Sequence, residues 1–265
     1  MDYFSKITQP PTPDLTWNIP EQAQGKVKII GGNSQNFRAE IKTAEFLAEY
    51  YPTESSILVL PDSLKLKLPN LPNVVYIGST ESGSFGNQDE LNTAMSTPDY
   101  NLLLGDLTKN SITAEVFHHC LKDLACPTLV TRDAVDLIAE SQPEPILMNP
   151  QVIFFASMSQ LQKLFRAVYY PKMLLLSQSL IQVADALHKF TLSYPTSIIT
   201  LHNEQILIAR SGEVKAVPLA KSGYLPITFY SGELSAKIVA LNLYNPDNFQ
   251  NATISAIFSQ SPPRP

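Results

Sequence analysis

The stretch FYSGELSAKIVALNL, Phe229 to Leu243, places Ser231, Gly232 and Glu233 where an irregular run gives way to a helical pattern. A serine at such a junction accepts a hydrogen bond from the free amides of the first turn, and a glycine lets another group approach the backbone. The amides themselves attract phosphate. A carboxylate in the first turn is stabilised by the helix dipole even without a ligand. The stretch therefore reads either as an anion-binding helix start with an acidic catalyst, or as a well-capped surface helix. A second candidate is IIGGNSQNF, in which Gly32, Asn33 and Ser34 lie between a strand pattern and a helix pattern and suit a phosphate or ribose contact. The full GxGxxG fingerprint is absent, and a capped tight turn explains the same residues. Asp106 and Asp133 each follow a strand pattern, where an acidic side chain caps the next helix or reaches a ligand hydroxyl or metal. The histidines at 118, 119, 188 and 202 have no metal-ligand spacing with other donors, so no metal site is expected. GxSxG, the P-loop and a Cys/His nucleophile arrangement are all missing, which removes the corresponding hydrolase and P-loop NTPase readings.

The elements that must position these residues alternate. KVKIIGG is a β-branched run closed by a glycine pair, followed by helical spacing through FRAEIKTAEFLAEYY. SSILVLP, NVVYIG and DYNLLLG read as further strands, each short, apolar and closed by a turn residue, as expected where both faces of a parallel sheet are buried. NSITAEVFHHCLKDL is a helix, CPTLVTRDAVDLIAES a strand then a helix, and PILMNPQ a strand ending at Pro150. Two helices follow, SQLQKLFRAVY and KMLLLSQSLIQVADALHKF, then a strand and hairpin in TSIITLHNEQILIARSGEVKAVP, then two closing helices. This order predicts a three-layer α/β/α sandwich with a mostly parallel central sheet. Ligands in such sheets sit beyond the carboxyl ends of the strands. Residues 31–36, 78–86, 105–110, 132–133, 149–151 and 229–233 are thus expected to meet at one rim. The glycine- and serine-dense segment 78–87 reads as a surface loop or a mobile lid.

The 265 residues are 44% hydrophobic and 16% charged, enough apolar material for a sizeable core. No linker divides them: residues 1–24 read as an extended proline-rich arm anchored by Trp17 and Ile19, and 25–265 as a single domain. A net charge of -5 offers no basic surface for nucleic acid or anionic lipid. Cys120 and Cys126 are the only cysteines and read as buried free thiols. Without a signal-like N-terminus or an apolar run of membrane-spanning length, a soluble cytoplasmic protein is expected, with no membrane partner. The 10 glycines beside 21 prolines mean that any nucleotide site uses few glycines.

In the order of these segments the chain resembles the ribokinase-like superfamily, and within it the ADP- or ATP-dependent NAD(P)H-hydrate dehydratases. The likeness runs from about Trp17 to Phe258. WNIPEQAQGKVKIIGGNSQNFRAEIKTAEF resembles that family's entry, first strand, Gly-Gly-Ser turn and helix; DYNLLLGDLTKNSITAEVF its Gly-Pro-Gly segment; PTLVTRDAVDLI its Asp-Ala-Asp-Ala-Leu strand end; ILMNPQ its Thr-Pro-His; and YSGELSAKIVAL its Gly-Thr-Gly-Asp motif. The resemblance implies a ribokinase-like fold and the repair of hydrated NAD(P)H. ADP or ATP with Mg2+ would phosphorylate a substrate hydroxyl, and phosphate would leave. It implies that Ser231, Gly232, Gly105 and Asn149 bind nucleotide and phosphate, that Gly32, Asn33, Ser34 and Asp133 meet an NAD(P)H-like substrate, and that Glu233 is the catalytic acid or base. Several positions depart from the family. Tyr230 replaces a glycine and is expected to crowd the phosphate, Asp106 brings a negative charge to the site, and Gln151, Thr131, Leu201 and His202 also differ. A non-catalytic nucleotide-binding or interaction protein and a sugar or vitamin kinase therefore stay open, as does assembly into a homo-oligomer.

Overall fold

The computed structural model describes residues 2–10, 20 and 22–259. The anchors expected at Trp17 and Ile19 lie outside the described residues. Among the described residues ten strands form one sheet: β1 (Phe4–Lys6), β2 (Lys26–Gly31), β3 (Ser55–Pro61), β4 (Val74–Ile77), β5 (Tyr100–Gly105), β6 (Thr128–Thr131), β7 (Val152–Phe155), β8 (Ser197–His202), β9 (Gln205–Arg210) and β10 (Glu213–Pro218). Their spatial order is β1-β10-β9-β8-β7-β6-β5-β2-β3-β4, and β9 alone runs against the rest. The helices are α1 (Arg38–Tyr50), α2 (Gln88–Ser96), α3 (Ser111–Lys122), α4 (Asp133–Ala139), α5 (Glu144–Leu147), α6 (Met158–Ala167), α7 (Leu180–Ser193), α8 (Gly232–Tyr244) and α9 (Phe249–Phe258).

Alternate residues of the central strands feed two cores. Ile30, Leu103, Val130 and Phe154 pack with α2 to α7 on one face, whereas Ile29, Leu102, Leu129 and Ile153 pack with α1, α8 and α9 on the other. Burial on both faces explains why β2 and β5 read as almost continuous apolar runs. No helix among the described residues is long and apolar enough to cross a membrane.

Three segments differ from the sequence expectation. PILMNPQ is not a strand: the short α5, entered from Pro143, occupies its beginning as far as Leu147, and the strand is the next segment, Val152–Phe155. Pro145 sits within the first turn of α5, where its missing N–H costs nothing. The second long helix starts only at Leu180, where Ser179 and Gln182 form a reciprocal capping box. The first residues of the arm form β1, an outer strand parallel to β10.

Candidate functional site

The chain winds outward from β2 to β3 and β4 in one direction and continues from β5 in the other, so the sheet reverses its winding between β2 and β5. Ligands of doubly wound sheets bind in the crevice outside the carboxyl ends at such a point. Here that crevice is bordered by Gly31, Gly32 and Asn33 on one side and Gly105 and Asp106 on the other. The Gly32 N–H donates to the Gly105 carbonyl at 2.9 Å, and Asn33 Nδ2 donates to the Asp106 carbonyl at 2.6 Å. Asn33 Oδ1 in turn accepts the N–H groups of Gln35 and Asn36, closing the turn that leads into α1. Gly105 has φ +112°, and an added Cβ would collide with the Asp133 carboxylate, so glycine is required there.

Asp133, at the start of α4, accepts the N–H of Asp106 at 2.7 Å and of Leu107 at 2.9 Å. Its burial raises the carboxyl group above the usual range, while these two bonds oppose the rise. Asp106 and Arg132 both adopt left-handed backbone, at φ 54° and 56°, and their side chains pair at 2.8 Å. The negative charge expected from Asp106 is thus countered within the protein.

Beside this turn a cleft of about 510 Å3 opens, lined by Gln35, Asn36, Phe37, Arg38, Lys67 and Asp106. Two cations border it, and Phe37 supplies no capping hydrogen bond to the start of α1. Lys67 Nζ reaches the carbonyl of Ser34, whose own N–H donates to the Gly83 carbonyl at 2.9 Å. The segment 78–87 is tied down beside Ser34 and not detached as a lid. Phe85 is fully buried, Ser79 bridges to Phe85, and Asn110 Nδ2 donates to Ser82 Oγ at 3.0 Å.

Beneath the crevice lies Glu40. The side chain is fully buried on α1, its carboxylate has no hydrogen-bond partner among the described residues, and an added Cβ on Gly31 would lie 2.5 Å from its Oε1. Burial, then the charge of Asp106, push its carboxyl group up to about 8.

The start of α8 reaches the same rim through α1. Ser231 caps the helix by accepting the Leu234 N–H at 3.5 Å, and Gly232 lies against Thr43 so closely that an added Cβ would strike Thr43 Oγ1. The amides of Gly232 and Glu233 belong to the first turn and have no intrahelical partner. Glu233 is exposed. Tyr230 does not crowd this helix start, because its ring turns inward onto Phe155 and Phe229. Its hydroxyl accepts the Leu201 N–H at 3.2 Å and donates to the Ala156 carbonyl at 3.3 Å. The tyrosine is drawn to backbone groups that end β7 and β8.

Of the residues expected at the rim, Gly32, Asn33, Ser34, Gly105 and Asp133 meet directly, and Ser231, Gly232 and Glu233 join across α1. Asn149 does not. It precedes β7 at the amino edge of the sheet, where Nδ2 donates to the carbonyls of Leu121 and Leu124 and Oδ1 accepts the Gln151 N–H. All three bonds are structural, and Gln151 lies at that same edge. Arg38, Glu40, Thr43 and Lys67 were not anticipated. A signal existed for Glu40: with Thr43 and Leu47 it follows the i, i+3, i+7 stripe that a helix buries.

No family model matches the chain, and no curated protein matches it. Solved structures do. A ribokinase-like superfamily protein of Enterococcus faecalis aligns with a TM-score of 0.65 at 15% identity, covering 97% of this chain and 86% of that one. The ADP/ATP-dependent NAD(P)H-hydrate dehydratase of Bacillus subtilis, crystallised with ATP and Mg2+ and soaked with CoA, aligns with a TM-score of 0.54 at 14% identity, covering 95% and 82%. An ADP complex of Bacillus subtilis pyridoxal kinase aligns with a TM-score of 0.53 at 13% identity, covering 88% and 89%. With its sheet reversing between β2 and β5 and its helices split between two faces, the chain has the ribokinase-like α/β fold.

Proposed function

We propose that the carboxyl rim holds ADP or ATP beside an NAD(P)H-like substrate, and that the chain dehydrates hydrated NAD(P)H in a nucleotide-dependent reaction. The observation that carries this reading is the cleft at the winding reversal, where Arg38, Lys67 and the first amides of α1 face the space beside Asn33 and Asp106. A phosphate group meets positive charge and backbone donors there. The free amides of Gly232 and Glu233 fit a second phosphate contact. Mg2+ fits only as an ion carried by the nucleotide, since the described residues hold no cluster of three or more metal-binding side chains.

In this reading the nucleotide, when bound, supplies the phosphoryl group that turns the substrate hydroxyl into a leaving group. The amides of Gly232 and Glu233 and the backbone at Gly105 hold the transferring phosphate, while Ser231, whose own N–H donates to the Thr228 carbonyl at 3.1 Å, caps the helix. Glu233, exposed and one residue into the helix, takes the hydroxyl proton. Gly32, Asn33 and Ser34 orient the substrate, and Asp133 serves the same end by holding the turn at Asp106. The contact of Thr43 with Gly232 favours a second reading, in which the fold binds nucleotide without turnover, because packing of α8 on α1 accounts for that glycine.

The test is thermal unfolding titrated with ADP and ATP, with and without Mg2+, followed by a hydrated-NADH assay. Nucleotide binding raises stability by about 2.7 kcal/mol at a hundredfold excess over Kd. Glu233→Gln is expected to lower turnover by about 10²-fold or more. Binding without turnover selects the second reading, and ATP consumption dependent on an added alcohol selects a kinase. No saturable shift with either nucleotide rejects the rim as a nucleotide site.

A further inference from the structure

A separate cavity of about 550 Å3 lies at the opposite edge of the sheet, among residues that precede β2, β3, β5, β6 and β7 and at the end of the antiparallel β9. Pro127, Pro150, Ile153, Leu243 and Phe249 give it apolar walls. Two further lining residues have polar groups that the fold leaves unused. Tyr100, at the start of β5, is only 3% exposed, yet its hydroxyl has no hydrogen-bond partner among the described residues. Arg210, at the end of β9 and paired there with Glu213 through the backbone, lays its guanidinium over the Phe249 ring, 4.9 Å from the centroid, and this side chain forms no ion pair or hydrogen bond among the described residues.

Both features ask for an outside partner. A buried hydroxyl without a partner is costly, and native structures rarely leave one so. Burial keeps the Tyr100 phenol protonated and therefore a donor, and the nearby Arg210 charge only partly opposes that rise. An arginine held flat on an aromatic ring keeps its donor edge available for a planar, two-oxygen acceptor. The volume suits a small molecule whose body is apolar and whose polar anchors are few. Glu54 and Asp99 also border the cavity, Asp99 with its carboxylate on the Lys26 N–H, and their negative charge disfavours a dianion.

From this arrangement we propose a second ligand site at the amino edge of the sheet, which binds a small monoanionic carboxylate with a flat, ring-like apolar body. The carboxylate lies against Arg210, within reach of the Tyr100 side, and the ring packs between the prolines and Phe249. The site shares no residue with the carboxyl rim, so its occupant is independent of the reading proposed for that rim.

Benzoate is the probe, with benzamide as its neutral counterpart and inorganic phosphate as the compact multivalent anion. Calorimetric titration of the full chain is expected to give saturable benzoate binding in the millimolar range, which suits so few atoms. Benzamide and phosphate should bind at least about tenfold more weakly. Arg210→Gln should weaken benzoate at least about tenfold, Arg210→Lys should retain part of the affinity, and Tyr100→Phe should weaken binding while leaving the midpoint of the free protein unchanged or higher. Ser231→Ala, at the other rim, should have no effect on benzoate. Absence of saturable benzoate binding overturns the proposal. So does benzoate affinity that survives Arg210→Gln, or equal affinity for benzamide.

Discussion

Glu40 is the residue whose chemistry its surroundings most alter. Its carboxyl group is pushed up to about 8 by burial and by the neighbouring Asp106 charge, whereas in the unfolded chain it ionises near the ordinary glutamate value. The folded state therefore holds this proton more tightly. As pH rises above about 4.5 the unfolded chain releases it first, and stability falls until the folded group also ionises near pH 8. Glu40→Gln keeps the size and removes the titration. The variant is expected to lose this part of the pH dependence and to exceed the wild type by on the order of 2–4 kcal/mol at pH 8, with little difference near pH 4. Denaturant unfolding across that range checks it, and parallel curves for the two proteins would contradict it. Asp133 tests the turn above. Asp133→Ala strands the N–H groups of Asp106 and Leu107 and is expected to cost about 2–4 kcal/mol, measured by the same unfolding. That an acidic residue after β6 would cap or reach a ligand was legible from its place in the chain. That it would cap the turn after β5 was not, because the partner lies 27 residues away.

The contact between α1 and α8 decides how near the α8 amides come to the rim. A Cβ on Gly232 would collide with Thr43 Oγ1, a side chain that is almost fully buried and bonded to the Ala39 carbonyl at 2.7 Å. Gly232→Ala is accordingly expected to destabilise the fold by about 1–3 kcal/mol. Adding Thr43→Ala should recover much of that loss, so the pair is non-additive in a double-mutant cycle. If the alanine at 232 instead weakens nucleotide binding with stability intact, the glycine serves the ligand and not the packing. The start of α8 was readable in advance because Ser-Gly-Glu before an apolar run is a local signal. The segment 145–150 was misread for the complementary reason. A short apolar run fits a buried strand or a buried turn of helix equally, and the two prolines at its ends, Pro145 and Pro150, are the local arbiters.

Across the whole molecule, the sheet ends at β1 on one side and β4 on the other. β1 covers the outer edge of β10 in the register Phe4 to Val214, Ser5 to Lys215 and Lys6 to Ala216, and Tyr3 stacks on His188 with centroids 3.9 Å apart. Deleting residues 1–7 uncovers that edge. The shortened protein is expected to unfold at a lower temperature and to associate with increasing concentration, since an unpaired strand edge recruits another. Sedimentation velocity and a melting curve test this, and an unchanged melting point in a monodisperse sample would refute it. The amino-acid sequence by itself determined the layered α/β order, the strands buried on both faces and the capped helix starts, because each depends on hydrophobic period and turn chemistry within a few residues. Only the tertiary structure decided that Tyr230 turns inward, that Arg132 neutralises Asp106, that Asn149 faces the opposite edge, and that Glu40 lies beneath the crevice with no hydrogen-bond partner for its carboxylate among the described residues. Those outcomes depend on contacts between segments far apart in the chain, and no local pattern encodes which strand end a side chain will meet.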